Sequence, residues 1–270
     1  MGDGKPFFQR YGPLALVAGA AEGIGAAFAE QLARRGLGLV LLDRQAEACG
    51  ALAARLRAVH RVECRALVCD LGAPDLLERL QAELGDAGVG LVVYNAARST
   101  VGGFLQQPLD DKLATLDVNC RGWLLLAHHF GAAMAGRGRG GLIVMSSLAG
   151  THGHGLVATY GATKAFDWLL AEALWDELGP HGVDVLAVCA GMTRTPGFER
   201  SGPRLGRLQS KLVLRPEQVA SGALDALGRG PRFIPGASYR LTQLVNDRLL
   251  PRGLASRWLG RTMRRIYPDR

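Results

Sequence analysis

The stretch that most constrains this chain is LALVAGAAEGIGAAFAEQLARR (14–35). An apolar run of flat period passes directly into small residues, with Gly19, Gly23 and Gly25 at the opening of an amphipathic segment. A strand-to-helix turn built this way lets backbone approach a pyrophosphate, and the first helical turn offers free N–H groups and the positive end of a dipole. A Gly-x-x-x-Gly-x-Gly alone is weak in a chain with 37 glycines, because an ordinary tight turn uses the same residues. Placement strengthens it. The next apolar run, GLGLVLLD (36–43), ends on Asp43, 18 residues past Gly25. A carboxylate there can accept from both hydroxyls of an adenosine ribose and repels a 2′-phosphate. The adjacent Arg44 could embrace such a phosphate, whereas Glu22, inside the glycine turn, adds a second acid. Two acids against one base favour NAD over NADP.

The same alternation continues along the chain. ECRALVCD (63–70), VGLVVYNAA (89–97), GGLIVMSS (140–147), GVDVLAVCA (182–190) and PRFIPG (231–236) read as short strands. Between them lie amphipathic stretches, among them a long helical region from about 108 to 135 and a helix around 160–178. Flat-period strands alternating with helices predict one doubly wound Rossmann-type α/β domain, with a mostly parallel seven-stranded sheet covered on both faces. That domain spans residues 1–236, and residues 237–270 form a basic helical extension of it.

Charge and cysteine usage remove other classes. Of the net charge of +8, the last 40 residues carry +7, nine Arg against two Asp, so the body is close to neutral. A nucleic-acid enzyme would carry its basic charge on the working face of the body. No apolar run approaches the ~18 residues of a spanning helix, and MGDGKPFFQR is too polar for a secretory signal. Five scattered Cys without a CxxC pair fit buried, reduced thiols in a cytoplasmic protein.

TYGATKAFDWLL (159–170) places Tyr160 and Lys164 four apart, on one helix face. With five Tyr and four Lys, such a pair is expected by chance about 0.07 times. An ammonium beside a phenol, whose ordinary pKa is ~10, favours proton exchange near neutrality. Ser147 lies 13 residues earlier, at the end of the fifth strand, where its hydroxyl can donate to a substrate oxygen.

Taken together, AGAAEGIG (18–25), CDL (69–71), YNAA (94–97), DVNC (117–120), Ser147 with Tyr160 and Lys164, and AGMTRT (190–195) resemble the short-chain dehydrogenase/reductase family over about residues 12–236. Within it, the start YGPLALVAGAAEGIG is similar to hydroxysteroid dehydrogenases. The resemblance implies a secondary-alcohol dehydrogenase on an apolar, steroid-like substrate, with Tyr160 as general acid/base and Lys164 assisting it while holding the nicotinamide ribose. It implies that Ser147 orients the reacting oxygen and that Asn119 holds a relay water. Gly19, Glu22, Gly23, Ile24, Gly25, Asp43 and Arg44 would meet the adenosine and pyrophosphate side, and Asp70 with Leu71 the adenine. Asn95, Ala96 and Ala97 would line the cofactor floor, and Gly191, Thr193 and Thr195 the carboxamide and pyrophosphate. The family often has Thr at Ala18, Gly at Ala97 and Pro at Ala190; none of these departures removes a reacting group. The resemblance also implies a homodimer or homotetramer through the helices near 108–135 and 158–178.

Other features carry less. His152 and His154 suit a solvent-exposed loop or substrate contact better than metal, since no third ligand is evident. His128 and His129 suit packing or an oligomer contact, and Cys120 a buried apolar role. The broken stretch 192–214 suits a lid beside the crevice. In the tail, Leu254, Trp258, Leu259, Met263, Ile266 and Tyr267 recur at helical spacing among arginines. That pattern favours capping the substrate mouth or a partner subunit over peripheral membrane contact. Rival readings are an NADPH-dependent ketone or 3-oxoacyl reductase, in which Arg44 dominates, and a non-catalytic dinucleotide-binding sensor.

Overall fold

The computed structural model describes residues 7–85 and 87–270. Residues 1–6, part of the stretch judged unlike a secretory signal, lie outside them. After α1 (Phe7–Tyr11) come β1 (Leu14–Ala18), α2 (Gly23–Arg34), β2 (Gly38–Asp43), α3 (Ala46–His60), β3 (Cys64–Val68), α4 (Leu76–Leu84) and β4 (Val89–Tyr94). The second half runs through α5 (Leu109–Leu116), α6 (Gly122–Arg137), β5 (Gly140–Ser147), α7 (Ala158–Leu178) and β6 (Val183–Ala190). It ends with α8 (Pro196–Arg200), α9 (Arg207–Leu212), α10 (Pro216–Ala226), β7 (Arg232–Phe233), α11 (Ala237–Arg248) and α12 (Arg252–Ile266).

The strands form one parallel sheet in the order β3-β2-β1-β4-β5-β6-β7. Side chains alternate across each strand. Ala15 and Val17, Leu39 and Leu41, Leu91 and Val93 enter one apolar layer, which Phe28, Leu32 and Leu56 of α2 and α3 and Val219 of α10 complete. Leu16, Val40 and Val92 enter the opposite layer with Leu80, Trp123, Phe130 and Ala171 of α4, α6 and α7. Both sheet faces are therefore buried, which is why the strands read as continuous apolar runs. Strand order reverses between β1 and β4, so a crevice opens there at the carboxyl ends of the strands.

The helical region expected at about 108–135 is present, from Leu109 to Arg137. A five-residue π turn, Asp117–Arg121, separates α5 from α6. There the Tyr94 hydroxyl donates to the Val118 carbonyl. Gly122 leaves room for that hydroxyl, because a Cβ would stand 2.3 Å from Tyr94 Oη and 2.7 Å from the Leu71 carbonyl oxygen. The stretch 192–214 is more ordered than a broken loop. It holds α8 and α9, and its base is joined by a parallel bridge between Thr193 and Leu214. Among the described residues no helix is long and apolar enough to cross a membrane.

The π turn yields a test. Gly122→Ala should lower the free energy of unfolding by about 1–3 kcal/mol through overpacking against Tyr94, read from urea denaturation.

Candidate active site

The glycine turn is held by its neighbours across the switch point. Gly19 has φ +76°, and a Cβ on it would lie 2.7 Å from the Ala96 backbone. A Cβ on Gly25 would lie 1.9 Å from the Gly19 carbonyl oxygen. Asn95 Nδ2 donates to that same carbonyl at 2.7 Å, and the amides of Asn95 and Ala96 both donate to Ala18 at 2.9 Å. Ile24 packs at the margin of the α2 core layer. Glu22 stands at the N-cap of α2 without making a side-chain cap, so the first turn of the helix keeps donors for an anion. A cradle of this kind fits the diphosphate of a dinucleotide.

Asp43 is buried at the end of β2. Its Oδ2 accepts from Ala21 N at 2.9 Å and its Oδ1 from Gln45 N at 3.0 Å, tying strand to turn. Each carboxylate oxygen keeps a second lone pair for a ribose hydroxyl. Arg44 is exposed. Glu22 is not a free acid: both Nη atoms of Arg200 on α8 donate to its carboxylate, one at 3.0 Å. Its charge is thus paired with Arg200. Asp70 is exposed and accepts from Gly72 N, Leu71 is buried, and Ala97 is exposed.

On the opposite side, Ser147 Oγ accepts from Ala149 N at 3.1 Å, closing a short 3₁₀ turn, Leu148–Gly150. With that lone pair taken, its proton is free to point toward a substrate oxygen. The turn packs on α7, where a Cβ on Gly150 would touch Lys164 and Ala165 backbone at 2.6 Å. Half-buried Tyr160 stands in the first turn of α7, where the helix dipole favours an anion. Lys164 Nζ lies 5.8 Å from the Tyr160 ring centroid.

Asn119 is fully buried. Its Nδ2 donates to the Arg98 carbonyl and to Thr163 Oγ1, and its Oδ1 accepts from Arg98 N. Thr163 Oγ1 in turn donates to the Tyr160 carbonyl at 2.8 Å. The Asn119 amide donors are spent on protein, so any water held here answers to other atoms.

Beyond β6, Thr193 Oγ1 donates to the Gly191 carbonyl, and Thr195 caps α8. The Thr195 methyl lies 2.9 Å from where a Cβ on Gly23 would stand, so the start of α8 rests on the glycine turn. Gly191 faces the Tyr239 ring of α11, whose hydroxyl accepts from Met192 N at 3.1 Å. The tail closes the rest: Ser201 Oγ and Tyr267 Oη are 2.9 Å apart, Arg204 N donates to the Ile266 carbonyl, and Thr151 Oγ1 donates to Gln243. His152 is buried beside Thr151, and His154 Nδ1 meets the His152 carbonyl. Among the described residues no three His, Cys, Asp or Glu gather as a metal set. Cys49, Cys64, Cys69 and Cys189 are buried thiols; Cys120 is only half-buried.

A family model described as short chain dehydrogenase matches residues 13–205. The chain belongs to the short-chain dehydrogenase family. It is similar to a 7beta-hydroxysteroid dehydrogenase of Collinsella aerofaciens, 31% identical over 84% of this chain and 88% of that one. It is also similar to a very-long-chain 3-oxoacyl-CoA reductase of Aspergillus clavatus, 32% identical over 84% of this chain and 66% of the relative. A solved structure described for 7beta-hydroxysteroid dehydrogenase stereoselectivity superimposes with a TM-score of 0.88 at 28% identity, covering 95% of this chain and all of the other. A short-chain dehydrogenase from Sphingobium yanoikuyae in complex with NADPH gives 0.76 at 32% identity, covering 90% and 95%. The dehydrogenase is an oxidoreductase of CH–OH donors with a nicotinamide-dinucleotide fold.

Sequence reasoning on this dehydrogenase missed three residues. Leu156, on the loop before α7, holds φ +69°, a conformation costly for a branched side chain. Arg200 was hidden because its partner is 178 positions away. Asp167 had a visible signal, three residues after Lys164 on the same helix. It is completely buried, and its Oδ2 accepts from Lys164 Nζ at 2.9 Å, while the Met145 carbonyl accepts a second Nζ proton at 2.8 Å. Burial works hardest against the Lys164 ammonium, but the charge and hydrogen bond of Asp167 together with Tyr160 outweigh it and hold the lysine above its ordinary range, while burial pushes the Asp167 carboxyl up. Removing one partner strands a buried charge. Asp167→Ala should cost about 3–5 kcal/mol of unfolding free energy, and the double change Lys164→Met with Asp167→Leu should cost less than Asp167→Ala. Paired denaturation curves decide it.

Proposed function

We propose that this dehydrogenase is NAD-dependent and interconverts a secondary alcohol and a ketone on an apolar, steroid-like substrate, with Tyr160 as general acid and base. The observation that carries the reading is Ser147 and the Tyr160–Lys164 pair at the carboxyl end of β5, beside a glycine cradle that suits a diphosphate. A bound nicotinamide supplies the hydride chemistry. The chain supplies the rest. Ser147 Oγ donates to the alcohol oxygen, and Tyr160 takes its proton as a phenolate near the Lys164 charge and the start of α7. In the reverse direction Tyr160 returns that proton to the ketone oxygen. Asn119 and Thr163 hold the Tyr160 backbone in place. An apolar substrate suits Leu156, Met192, Phe198 and Leu205, all half-buried on the segments that border the crevice. The name of the Collinsella relative points the same way.

NAD rests on Asp43. The competing reading, an NADPH-dependent ketone or 3-oxoacyl reductase, draws on the Arg200 pairing that neutralises Glu22, on the NADPH complex of the Sphingobium protein and on the Aspergillus relative. For the subunit contact, the helices α5 and α7 expose Leu109, Leu113, Phe166 and Leu169, apolar residues suited to a homodimer or homotetramer contact.

Two measurements test the proposal. With a panel of secondary alcohols, kcat/KM should favour NAD over NADP, and Asp43→Asn should move the ratio toward NADP by about tenfold or more; a native preference for NADP would sink the NAD assignment. Tyr160→Phe should lower kcat by about 10²–10⁴-fold while NADH binding, followed by fluorescence, stays intact. Full turnover in that variant would sink the assignment of Tyr160 as general acid and base.

A further inference from the structure

Helix α11 is turned inside out. Its inward face carries Tyr239, Gln243 and Asn246, the last two buried, and these polar groups meet the segments that border the crevice. Its outward face carries Leu241 and Leu244, which are 63% and 55% exposed. The apolar line continues through Leu249 and Leu250 at the turn and through Leu254 and Trp258, four apart on the outer side of α12. Ile266, Ala255 and Gly260 hold the other side of α12 against the protein, and Gly260 lies beside Gly155 of the substrate loop. The sequence pattern had grouped Trp258 with Ile266; the structure separates them, one outward and one inward.

Arginines flank the apolar line. Arg240, Arg248, Arg252, Arg257 and Arg261 are all exposed, and α12 contains no acidic residue. A second copy of the chain would set these arginines against their own kind in a two-fold contact. A soluble acidic partner would satisfy the charge but leave the exposed leucines and indole without a reason. A bilayer with anionic headgroups satisfies both, since apolar side chains enter the acyl boundary, Trp settles at the headgroup level and Arg meets phosphate.

We propose that the outer face of α11 and α12, from Leu241 to Trp258 with its flanking arginines, is a docking surface for an anionic lipid bilayer. The proposal is independent of the reaction catalysed and of the cofactor used. The surface is peripheral: it lays two helices on the membrane and crosses nothing.

Co-sedimentation of the full-length protein with vesicles tests it without reference to turnover. Binding should be strong to phosphatidylcholine mixed with phosphatidylglycerol, weak to phosphatidylcholine alone, and lost near 1 M salt, where the screening length is about 3 Å. Leu241→Ser combined with Leu244→Ser and Trp258→Ser should reduce binding by about tenfold or more, with the thermal melt unchanged. Arg248→Gln with Arg257→Gln and Arg261→Gln, which spares the apolar line, should reduce it as well. Absence of binding to the anionic vesicles overturns the proposal, as does full binding by the triple Ser variant. It is equally overturned if that variant shifts the native particle to a smaller oligomer in light scattering, because the surface is then a subunit contact.

Discussion

Seven strands that all run the same way cannot be joined by hairpins, and every other feature of the molecule follows from that. Each return path must cross a face of the sheet, so helices cover both faces and leave the strand ends as the place where backbone is free to meet a ligand. The ends of β1, β2, β4, β5 and β6 deliver the glycine turn, Asp43, Asn95, Ser147 and Gly191 to one edge. The packing of the glycine turn is set by close approach: at Gly19 and Gly25 the neighbouring backbone already occupies the space a side chain would need.

The catalytic side depends on a chain of contacts that reaches from one core layer to the other side of the crevice. Tyr94 at the end of β4 meets the π turn, the π turn presents Asn119, Asn119 holds Thr163, and Thr163 holds the Tyr160 carbonyl. One turn further along α7, the Lys164–Asp167 pair fixes the same helix from inside the core. The first turn of α7 is therefore anchored through polar groups on both sides, which limits the freedom of the phenol that it carries.

Much of this was legible beforehand for a physical reason. The fold class followed from strands apolar on both faces, and the glycine turn, Asp43, Ser147, Tyr160 and Lys164 followed from short spacings on single elements. What stayed hidden involved partners far apart in sequence. Glu22 reads as a lone acid until Arg200 is brought across the crevice, and the turn around Asn119 reads as plain helix until Tyr94 supplies a donor. Asp167 was within reach, since i,i+3 spacing already placed it beside Lys164. The tail was read as one amphipathic face; only packing could divide its apolar residues between the crevice and the exterior.

The contacts of Tyr239 with Met192, Gln243 with Thr151, Tyr267 with Ser201 and Ile266 with Arg204 share one property: each joins the stretch 151–204, before and after β6, to the stretch 237–267. The sheet is complete once β7 has been made, yet the wall of the crevice is not. The segment from Ala237 to Tyr267 thus gives an otherwise open Rossmann sheet a wall on that side.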